Sequence, residues 1–394
     1  MEASLYVAMT LAVAILAAGM ISVELGLSAA IIEIVLGVVL GNTLHLATPE
    51  WLTFLAGFGG VVLTFLAGAE VDPAEFRATW RGSLLIGVLS FAAPFVAVML
   101  VCRYGFAWDW RAAQIGGIAL STTSLAVVYA VLVETGLNAT PIGKLIMSAT
   151  FVTDLSTVIA LSALFIQPSL WLVPFIAAAV VFIVVMPRLE MWFFARYGNR
   201  VIEPEIKGAF AALLMLMWLG DKANSHAVLP AFLLGLAVSR TFQRHPTTQG
   251  RFRVVAFALL TPFFFLRSGM NISLPLVWAN LGLLGVLLLA KLVFKSASVY
   301  PLARRFVPEH APFTTLLMST GLTFGTISAT YGLTAHIIDR AQFSVLVSVV
   351  VLTAVIPTII AQRFFSPAAQ PVRQTRTILR GRSWEYPPFR RRSR

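Results

Sequence analysis

One carboxylate lies in the middle of an apolar stretch, where a charged side chain is costly and usually functional. Asp154 lies in the run from Ser148 to Thr157 (SATFVTDLST), and small hydroxyl residues surround it at helical spacing. A carboxylate in such a place can bind one proton or one hard monovalent cation, and the two compete for the same oxygens. The pattern favours a cation or proton site, and a structural aspartate in a buried ion pair is the alternative interpretation.

Two other apolar stretches carry polar and small residues near their middle. The first has four consecutive hydroxyl residues, Ser121–Ser124 (STTS), and the second has the run Gly321–Ser328 (GLTFGTIS). Four consecutive hydroxyl residues point all round a helix, and side chains that bond their own backbone can open a helix locally. We therefore expect one helix break at Ser121 and Thr122 and a second at Gly325 and Thr326. Close packing of helices through small residues is the alternative.

Two lysines follow on a later apolar stretch, four residues apart and therefore on one helix face. Lys291 lies deeper among leucines, so Lys295 is the better candidate for a counter-ion that balances the acidic site when no cation is bound. This ranking also rests on the family resemblance given below. Snorkelling of Lys295 to the membrane interface is the alternative. Arg267 is expected to serve as an anchor or a structural partner, and Glu33 to be structural or gating.

The composition indicates how these residues are positioned. Hydrophobic residues make up 58% of the 394 residues and charged residues only 12%, whereas a soluble domain has about 25% charged residues. The chain therefore reads as an all-α polytopic membrane protein, which excludes a soluble enzyme. The single Cys102 excludes an internal disulfide, and five histidines without a Cys-x-x-Cys pair give no zinc motif. No resident cofactor is expected.

Thirteen apolar segments are predicted as membrane helices, each about long enough to cross the hydrocarbon core. Their bounds are roughly 4–21, 25–42, 51–71, 83–102, 112–133, 142–165, 169–187, 207–221, 226–239, 254–270, 277–300, 312–333 and 341–362. Together they form a transmembrane domain over 1–365.

Basic residues predict the orientation of the segments. They gather in the odd-numbered gaps between segments, and the even-numbered gaps hold only Arg103, Arg111, Lys222 and Arg340. Since cytoplasmic loops are enriched in Lys and Arg, the N-terminus is expected outside and the C-terminus inside the cell membrane. The arginine-rich stretch 366–394 is expected to be a disordered cytoplasmic tail near anionic lipid rather than a nucleic-acid-binding arm.

The segments also suggest an internal repeat. With segment 7 set aside as a linker, segments 1–6 and 8–13 form two six-helix halves of opposite orientation. Segment 5 then corresponds to segment 12, so the two suspected breaks occupy matching places. Inverted repeats with paired discontinuous helices around a midplane site are typical of secondary transporters.

Several runs resemble the monovalent cation:proton antiporters, in the branch of bacterial NapA and Kef-type sodium/hydrogen exchangers. The resemblance covers about residues 5–365. The matching runs are IIEIVLGVVLG at 31–41, TFLAGAEVD at 64–72, the stretch from Ala119 through Ser124 to Asp154, AFLLG at 231–235, and FFFLRSGM at 263–270. The position of Lys295 also matches a lysine of the family.

The resemblance implies a core of segments 4–6 and 11–13 that moves against a dimer-forming part of segments 1–3 and 8–10. Asp154 would be the ion-binding aspartate, with Thr153, Thr123 and Ser124 as neighbouring ligand candidates. Two departures stand out: Thr153 replaces the acid or glutamine that often precedes the family's aspartate, and Thr326 lies where some members carry an acid.

Taken together, these patterns predict a homodimeric secondary antiporter that exchanges Na⁺ or K⁺ for H⁺. With one carboxylate at the site, the exchange is expected to be electroneutral. The alternatives are a potassium efflux channel, an anion:sodium symporter on a related fold, and a sensor that has kept the transporter fold without transport. A membrane enzyme is not indicated, since no His, Cys or Ser lies in a recognisable nucleophile arrangement.

Overall fold

The computed structural model describes residues 2–365 except 26–27, 47, 72, 136, 138–139, 166–169, 198–202 and 224–226. The predicted tail 366–394 lies outside the described residues. The α-helices are α1 Glu2–Leu25, α2 Ala29–Thr43, α3 Glu50–Ala69, α4 Pro73–Leu100, α5 Trp110–Ser121, α6 Leu125–Glu134, α7 Pro141–Phe165, α8 Leu172–Tyr197, α9 Pro204–Lys222, α10 Val228–Arg244, α11 Pro246–Val255, α12 Thr261–Met270, α13 Leu274–Ala279, α14 Leu281–Phe306, α15 Ala311–Met318, α16 Thr323–Thr334 and α17 Arg340–Phe364.

Each of the thirteen predicted segments overlaps one helix or a run of consecutive helices, so the predicted all-helical membrane fold is confirmed. Segment 5 is divided into α5 and α6, and segment 12 into α15 and α16. Within the described part of the chain, nine helical stretches are long and apolar enough to cross a membrane, by length and composition. The shorter α2 is also apolar.

Four helices form a closely packed panel, which we define as α2, α3, α10 and α12. In this panel α2 packs on α12 and α3 packs on α10. Glycines permit the close approach: a Cβ at Gly68 would overlap the carbonyl oxygen of Phe232, and one at Gly235 would overlap that of Phe65. Gly37 on α2 meets the backbone of α12 in the same way. Small residues of this kind let membrane helices pack backbone against backbone.

Eight further helices form a core that contains the two divided ones. We define the core as α4–α7 and α14–α17, in which α4 packs on α7 and α14, α14 packs on α17, and α5 packs on α16. Under the predicted repeat, the α2–α12 contact is the image of the α10–α3 contact, and the α4–α7 contact is the image of the α14–α17 contact. The helix contacts thus follow the predicted correspondence of the two halves.

Aromatic rings join the core to the panel. Phe151 on α7 stacks on Phe232 of α10, with ring centroids 5.8 Å apart and planes inclined by 9°. Phe232 also meets Phe324 of α16 edge to face at 6.1 Å. The buried side chains at this boundary are therefore aromatic rings, one pair stacked face to face and the other packed edge to face.

Two short π-helical stretches interrupt the α-helical ladder. They cover Val101–Gly105, after α4, and Ala256–Leu260, between α11 and α12. Cys102 lies in the first stretch with its side chain fully buried as a free thiol. The sequence patterns predicted neither stretch, because an extra residue in a helical turn leaves no clear mark on hydropathy.

Candidate functional site

The first helix break lies at Thr122–Ser124, so Thr122 of the two predicted residues lies in the break and Ser121 is the last residue of α5. The helix α5 ends at Ser121, and Thr122 adopts an extended conformation with φ −68° and ψ 157°. The hydroxyls pair backbone groups that lack a partner at the helix ends: Ser121 Oγ donates to the Ile118 carbonyl at 2.9 Å. Beyond the break, Val127 N donates to Ser124 Oγ at 3.4 Å, which gives α6 an N-terminal cap. The run of hydroxyl residues therefore opens the helix and pairs the backbone groups that the opening frees.

The second break covers Ser319–Leu322, about one turn earlier than predicted. Ser319 Oγ donates to the Thr315 carbonyl at 2.8 Å, and Thr320 Oγ1 donates to the Leu317 carbonyl at 2.7 Å. Gly325 and Thr326, which were expected at the break, lie in the first turns of α16. The Thr326 hydroxyl donates to Leu322 within that helix at 2.8 Å. Its hydroxyl is thus compatible with continuous helix, and the break falls in the polar run just before it.

The two breaks cross in direct contact. Thr123 Oγ1, in the first break, donates to the Met318 carbonyl at the end of α15 at 2.9 Å. A Cβ on Gly325 would lie 2.8 Å from the Ala119 carbonyl oxygen, so this glycine lets α16 approach the backbone of α5. The predicted break residues of the two halves are therefore brought together at one crossing.

Asp154 lies in α7, which packs against α5, α15 and α16. One turn earlier, Thr150 Oγ1 contacts Met318 Sδ at 3.6 Å, so this face of α7 borders the second break. The Asp154 side chain is only 2% exposed, and its Oδ1 has no hydrogen-bond partner among the described residues. A buried carboxylate oxygen without a partner is available to a proton or a cation.

Thr153 is turned away from this crossing. Its hydroxyl donates to Ala149 in its own helix at 3.0 Å and contacts the Gly87 carbonyl of α4 at 3.3 Å. Adjacent residues on a helix point about 100° apart. Thr153 therefore faces Gly87 of α4, and Asp154 points in a different direction. The Thr153 hydroxyl therefore does not lie at the first break, where Thr123 and Ser124 are found.

Lys295 holds the end of the first divided helix. Its side chain is fully buried, and Nζ donates to the Ser121 and Thr122 carbonyls at 2.6 and 2.7 Å. A cation is favourable there because the carbonyl end of a helix carries a partial negative charge. The alternative of snorkelling is wrong. Among the residues that the structure describes, no ion pair within 4.0 Å joins Lys295 to Asp154. The Lys295 ammonium therefore contacts helix carbonyls instead.

Lys291 lies at the second break, and sequence reasoning underrated it. It is fully buried, and its Nζ donates to Thr353 Oγ1 of α17 at 2.9 Å. The amine also lies against Gly321, where a Cβ would overlap it. The spacing of four from Lys295 was the available signal, since it places both amines on one face of α14. Each lysine therefore faces one of the two breaks.

The crossing offers oxygen ligands of the kind that hard cations prefer. Asp154 contributes a carboxylate, and the breaks contribute carbonyls and hydroxyls, all of them buried. In the described ranges, no group of three or more His, Cys, Asp or Glu residues could hold a metal ion. The arrangement is suited to one monovalent cation or one proton at Asp154.

Comparison with known proteins identifies the family of this arrangement. A family model described as "Sodium/hydrogen exchanger, transmembrane" matches residues 9–366. The chain is 26% identical over 336 residues to the Probable Na(+)/H(+) antiporter 3 of Methanocaldococcus jannaschii, covering 81% of this chain and 85% of the relative. It is 24% identical over 359 residues to the Na(+)/H(+)-K(+) antiporter GerN of Bacillus cereus, covering 86% and 90%.

A solved structure shares the fold. The sodium proton antiporter MjNhaP1 from Methanocaldococcus jannaschii, solved at pH 8, matches with a TM-score of 0.69 at 12% sequence identity. The match covers 91% of this chain and 98% of that chain. At this identity, the likeness supports the fold and leaves the chemistry of the site to be argued from its own residues.

Proposed function

The chain belongs to the sodium/hydrogen exchanger family, and we propose that it exchanges a monovalent cation, Na⁺ or K⁺, for H⁺ across the membrane by alternating access. One observation carries the proposal: Asp154 is buried beside two crossed helix breaks and has an oxygen without a partner. The relatives named as Na(+)/H(+) and Na(+)/H(+)-K(+) antiporters support the same exchange.

Asp154 is the group for which cation and proton compete. Thr123 and Ser124 lie in the first break as further candidate ligands. Lys295 compensates negative charge at the first break. Its ammonium donates to the Ser121 and Thr122 carbonyls, which form the negative end of α5. A cation that enters the crossing competes with this ammonium for the same negative region, and the proton that leaves Asp154 balances the charge of the cation.

The core of α4–α7 and α14–α17 moves against the panel during the cycle, and a homodimer forms on the panel side, through segments 1–3 and 8–10. The glycine contacts within the panel and the apolar rings at its boundary with the core support this division. The N-terminus lies outside and the C-terminus in the cytoplasm, since the basic residues gather in the odd-numbered gaps.

The proposed stoichiometry is one proton for one cation. Asp154 is the one carboxylate that we assign to the crossing, and neither Thr153 nor Thr326 can titrate. One carboxylate that exchanges one proton for one monovalent cation moves no net charge, so the cycle is electroneutral.

The exchange is tested with the purified protein in sealed proteoliposomes that contain a pH-sensitive dye. An imposed Na⁺ or K⁺ gradient is expected to drive proton movement in the opposite direction, and choline is expected to drive none. Absence of cation-driven proton flux in well-folded protein would contradict the proposal.

The stoichiometry is tested separately with an imposed membrane potential. We expect the potential to drive no proton uptake through the protein in the presence of the transported cation. Cation-dependent uptake driven by the potential would reveal a second proton carrier, and the buried lysines would be the first groups to examine.

A further inference from the structure

A cavity separates the panel from the core on one side of the molecule. Its volume is about 590 Å³, and it lies between α3, α9, α12 and α16. Its lining includes Thr53 near the start of α3, Asp221 near the end of α9 and Thr334 at the end of α16. These helix ends lie on one side of the membrane, so the cavity opens there. By the proposed orientation this side is the outside.

The cavity extends from these helix ends to the second turn of α16. Along α12 its wall runs from Asn271, just past the helix end, through Arg267 to Phe264. Along α16 it includes Ile327, in the second turn after the second break. A cation that enters the protein through this cavity therefore passes the wall that carries Arg267.

Two charged side chains are found among the described lining residues, and their positions differ. Asp221 is exposed, at the end of α9. Arg267 is partly buried one turn below Asn271, and its Nε is buried with no hydrogen-bond partner. No ion pair within 4.0 Å joins Arg267 to Asp221 in the part of the chain that the structure describes. The guanidinium charge thus faces the cavity without a carboxylate in contact.

A fixed positive charge in such a place has a definite effect on cations. Apolar walls focus the field of a charge within a cleft, and the field changes the local concentration of small ions. Repulsion by Arg267 lowers the cation concentration in the cavity and so disfavours the loading of a cation from this side. Asp221, nearer the opening, acts in the opposite direction and more weakly.

We propose that Arg267 sets the cation affinity on this one side of the membrane, so that loading from the cavity requires a higher cation concentration and release into it is favoured. This proposal rests on the proposed cation/proton exchange. In this role Arg267 weakens cation binding from the cavity side through its charge, without contact with the bound ion.

The test measures the KM for Na⁺ and K⁺ from each side of the membrane, in right-side-out and in inverted vesicles. Arg267→Gln is expected to lower the KM on the cavity side about two- to fivefold at low ionic strength and to leave the other side unchanged. Added choline chloride should shrink the difference, because at 0.1 M salt the field of an exposed charge decays over a distance of about 10 Å. Arg267→Lys, which keeps the charge, should behave as the wild type.

Asp221→Asn serves as the matched variant of opposite sign. It removes a negative charge from the same cavity, so the cavity-side KM is expected to rise. Because Asp221 is exposed, this variant is expected to fold. An unchanged cavity-side KM in Asp221→Asn would show that charges in this cavity wall do not set the cation affinity, which would overturn the proposal even if Arg267→Gln fails to fold.

The outcomes separate the two proposals. An active wild type with an unchanged cavity-side KM in Arg267→Gln overturns the role of Arg267 and leaves the exchange intact. Opposite shifts of KM on the two sides would indicate an altered balance of conformations and would also overturn it. Wild-type vesicles without cation-driven proton flux would overturn the proposed function itself, and with it this role of Arg267.

Discussion

The panel and the crossing of the divided helices both bring helix backbones together at glycines, but the neighbours of those glycines differ. In the panel, Gly68 and Gly235 face backbone carbonyls of the partner helix. At the crossing, Gly325 likewise faces the Ala119 carbonyl, but Gly321 faces the amine of Lys291. The same small residue therefore makes an apolar joint in one region and makes room for a buried charge in the other.

The polar groups of the two regions differ in the same sense. The ion pair of Glu70 and Arg253 lies at the end of the panel helix α3, where both side chains are partly exposed. At the crossing, Asp154, Lys291 and Lys295 are all buried. Burial of charge is costly, so the crossing gives up stability to hold the groups that we propose bind and release ions, whereas the panel glycines pack backbone against backbone.

The strongest contrast is expected from Asp154→Asn. The amide keeps the shape of the side chain but can neither carry the negative charge nor exchange a proton, so cation-driven proton flux should fall below detection while the protein still folds and inserts. The proton flux is measured in proteoliposomes, and folding is checked by the size-exclusion profile of the purified protein. Glu309→Gln removes an exposed carboxylate and should exchange normally. Normal exchange by Asp154→Asn would refute the assignment of the site.

Lys295→Met is expected to have the next largest effect. The change leaves the Ser121 and Thr122 carbonyls without their donor, and a hydrogen bond to a charged group contributes about 1.5–3 kcal/mol. The exchange rate should fall about tenfold or more, or its pH profile should shift. Lys222→Met, at an exposed helix end, is the control. An unchanged rate together with an unchanged pH profile would show that Lys295 is not part of the site.

Gly235→Ala tests the panel side of the comparison. The added Cβ overlaps the Phe65 carbonyl, and overpacking of this kind typically costs about 1–3 kcal/mol. We expect a lower thermal unfolding midpoint in detergent, with little change in the exchange rate per folded molecule. Gly285→Ala is the control, because a Cβ there meets nothing within 4 Å. A large loss of exchange in a stable Gly235→Ala protein would mean that the panel also takes part in the cycle.

The smallest effect is expected from Thr123→Val, which removes the hydroxyl that bonds the Met318 carbonyl across the crossing. Hydrogen bonds between membrane helices average about 0.6 kcal/mol, so the unfolding midpoint should fall only slightly while exchange slows. Thr64→Val is the panel counterpart, since that buried hydroxyl bonds Gly60 within its own helix. Equal effects of the two variants on exchange would remove the distinction between the regions.

The helices could be predicted because the membrane sets their length. A span needs about 20 apolar residues, and every predicted segment overlaps helix. The first break was also predictable, since four hydroxyl residues in a row fit neither face of a helix. The position of the second break was not: glycines and hydroxyls continue from Ser319 to Ser328, and a threonine such as Thr326 bonds its own helix as readily as it opens one.

The contact partners of the site residues could not be predicted from the sequence, because they lie on distant segments. The sequence indicated that Lys295 lies in a span, but the Ser121 and Thr122 carbonyls became its acceptors only through the crossing of distant segments. The direction of Thr153 depends on which face of α7 meets α4. Arg267 was expected to anchor the end of its segment, and its place in a cavity wall follows from the separation of α3, α9 and α16 around it.

The buried thiol of Cys102 has a practical consequence. It is the single cysteine of the sequence, and its side chain is fully buried in the π-helical stretch after α4. Thiol reagents attack exposed thiolates, so the natural chain should be nearly silent towards a water-soluble maleimide. A cysteine introduced at Thr334, in the cavity wall, would then be the sole labelled position, and its labelling rate would report how often the cavity is open as the cation gradient is reversed.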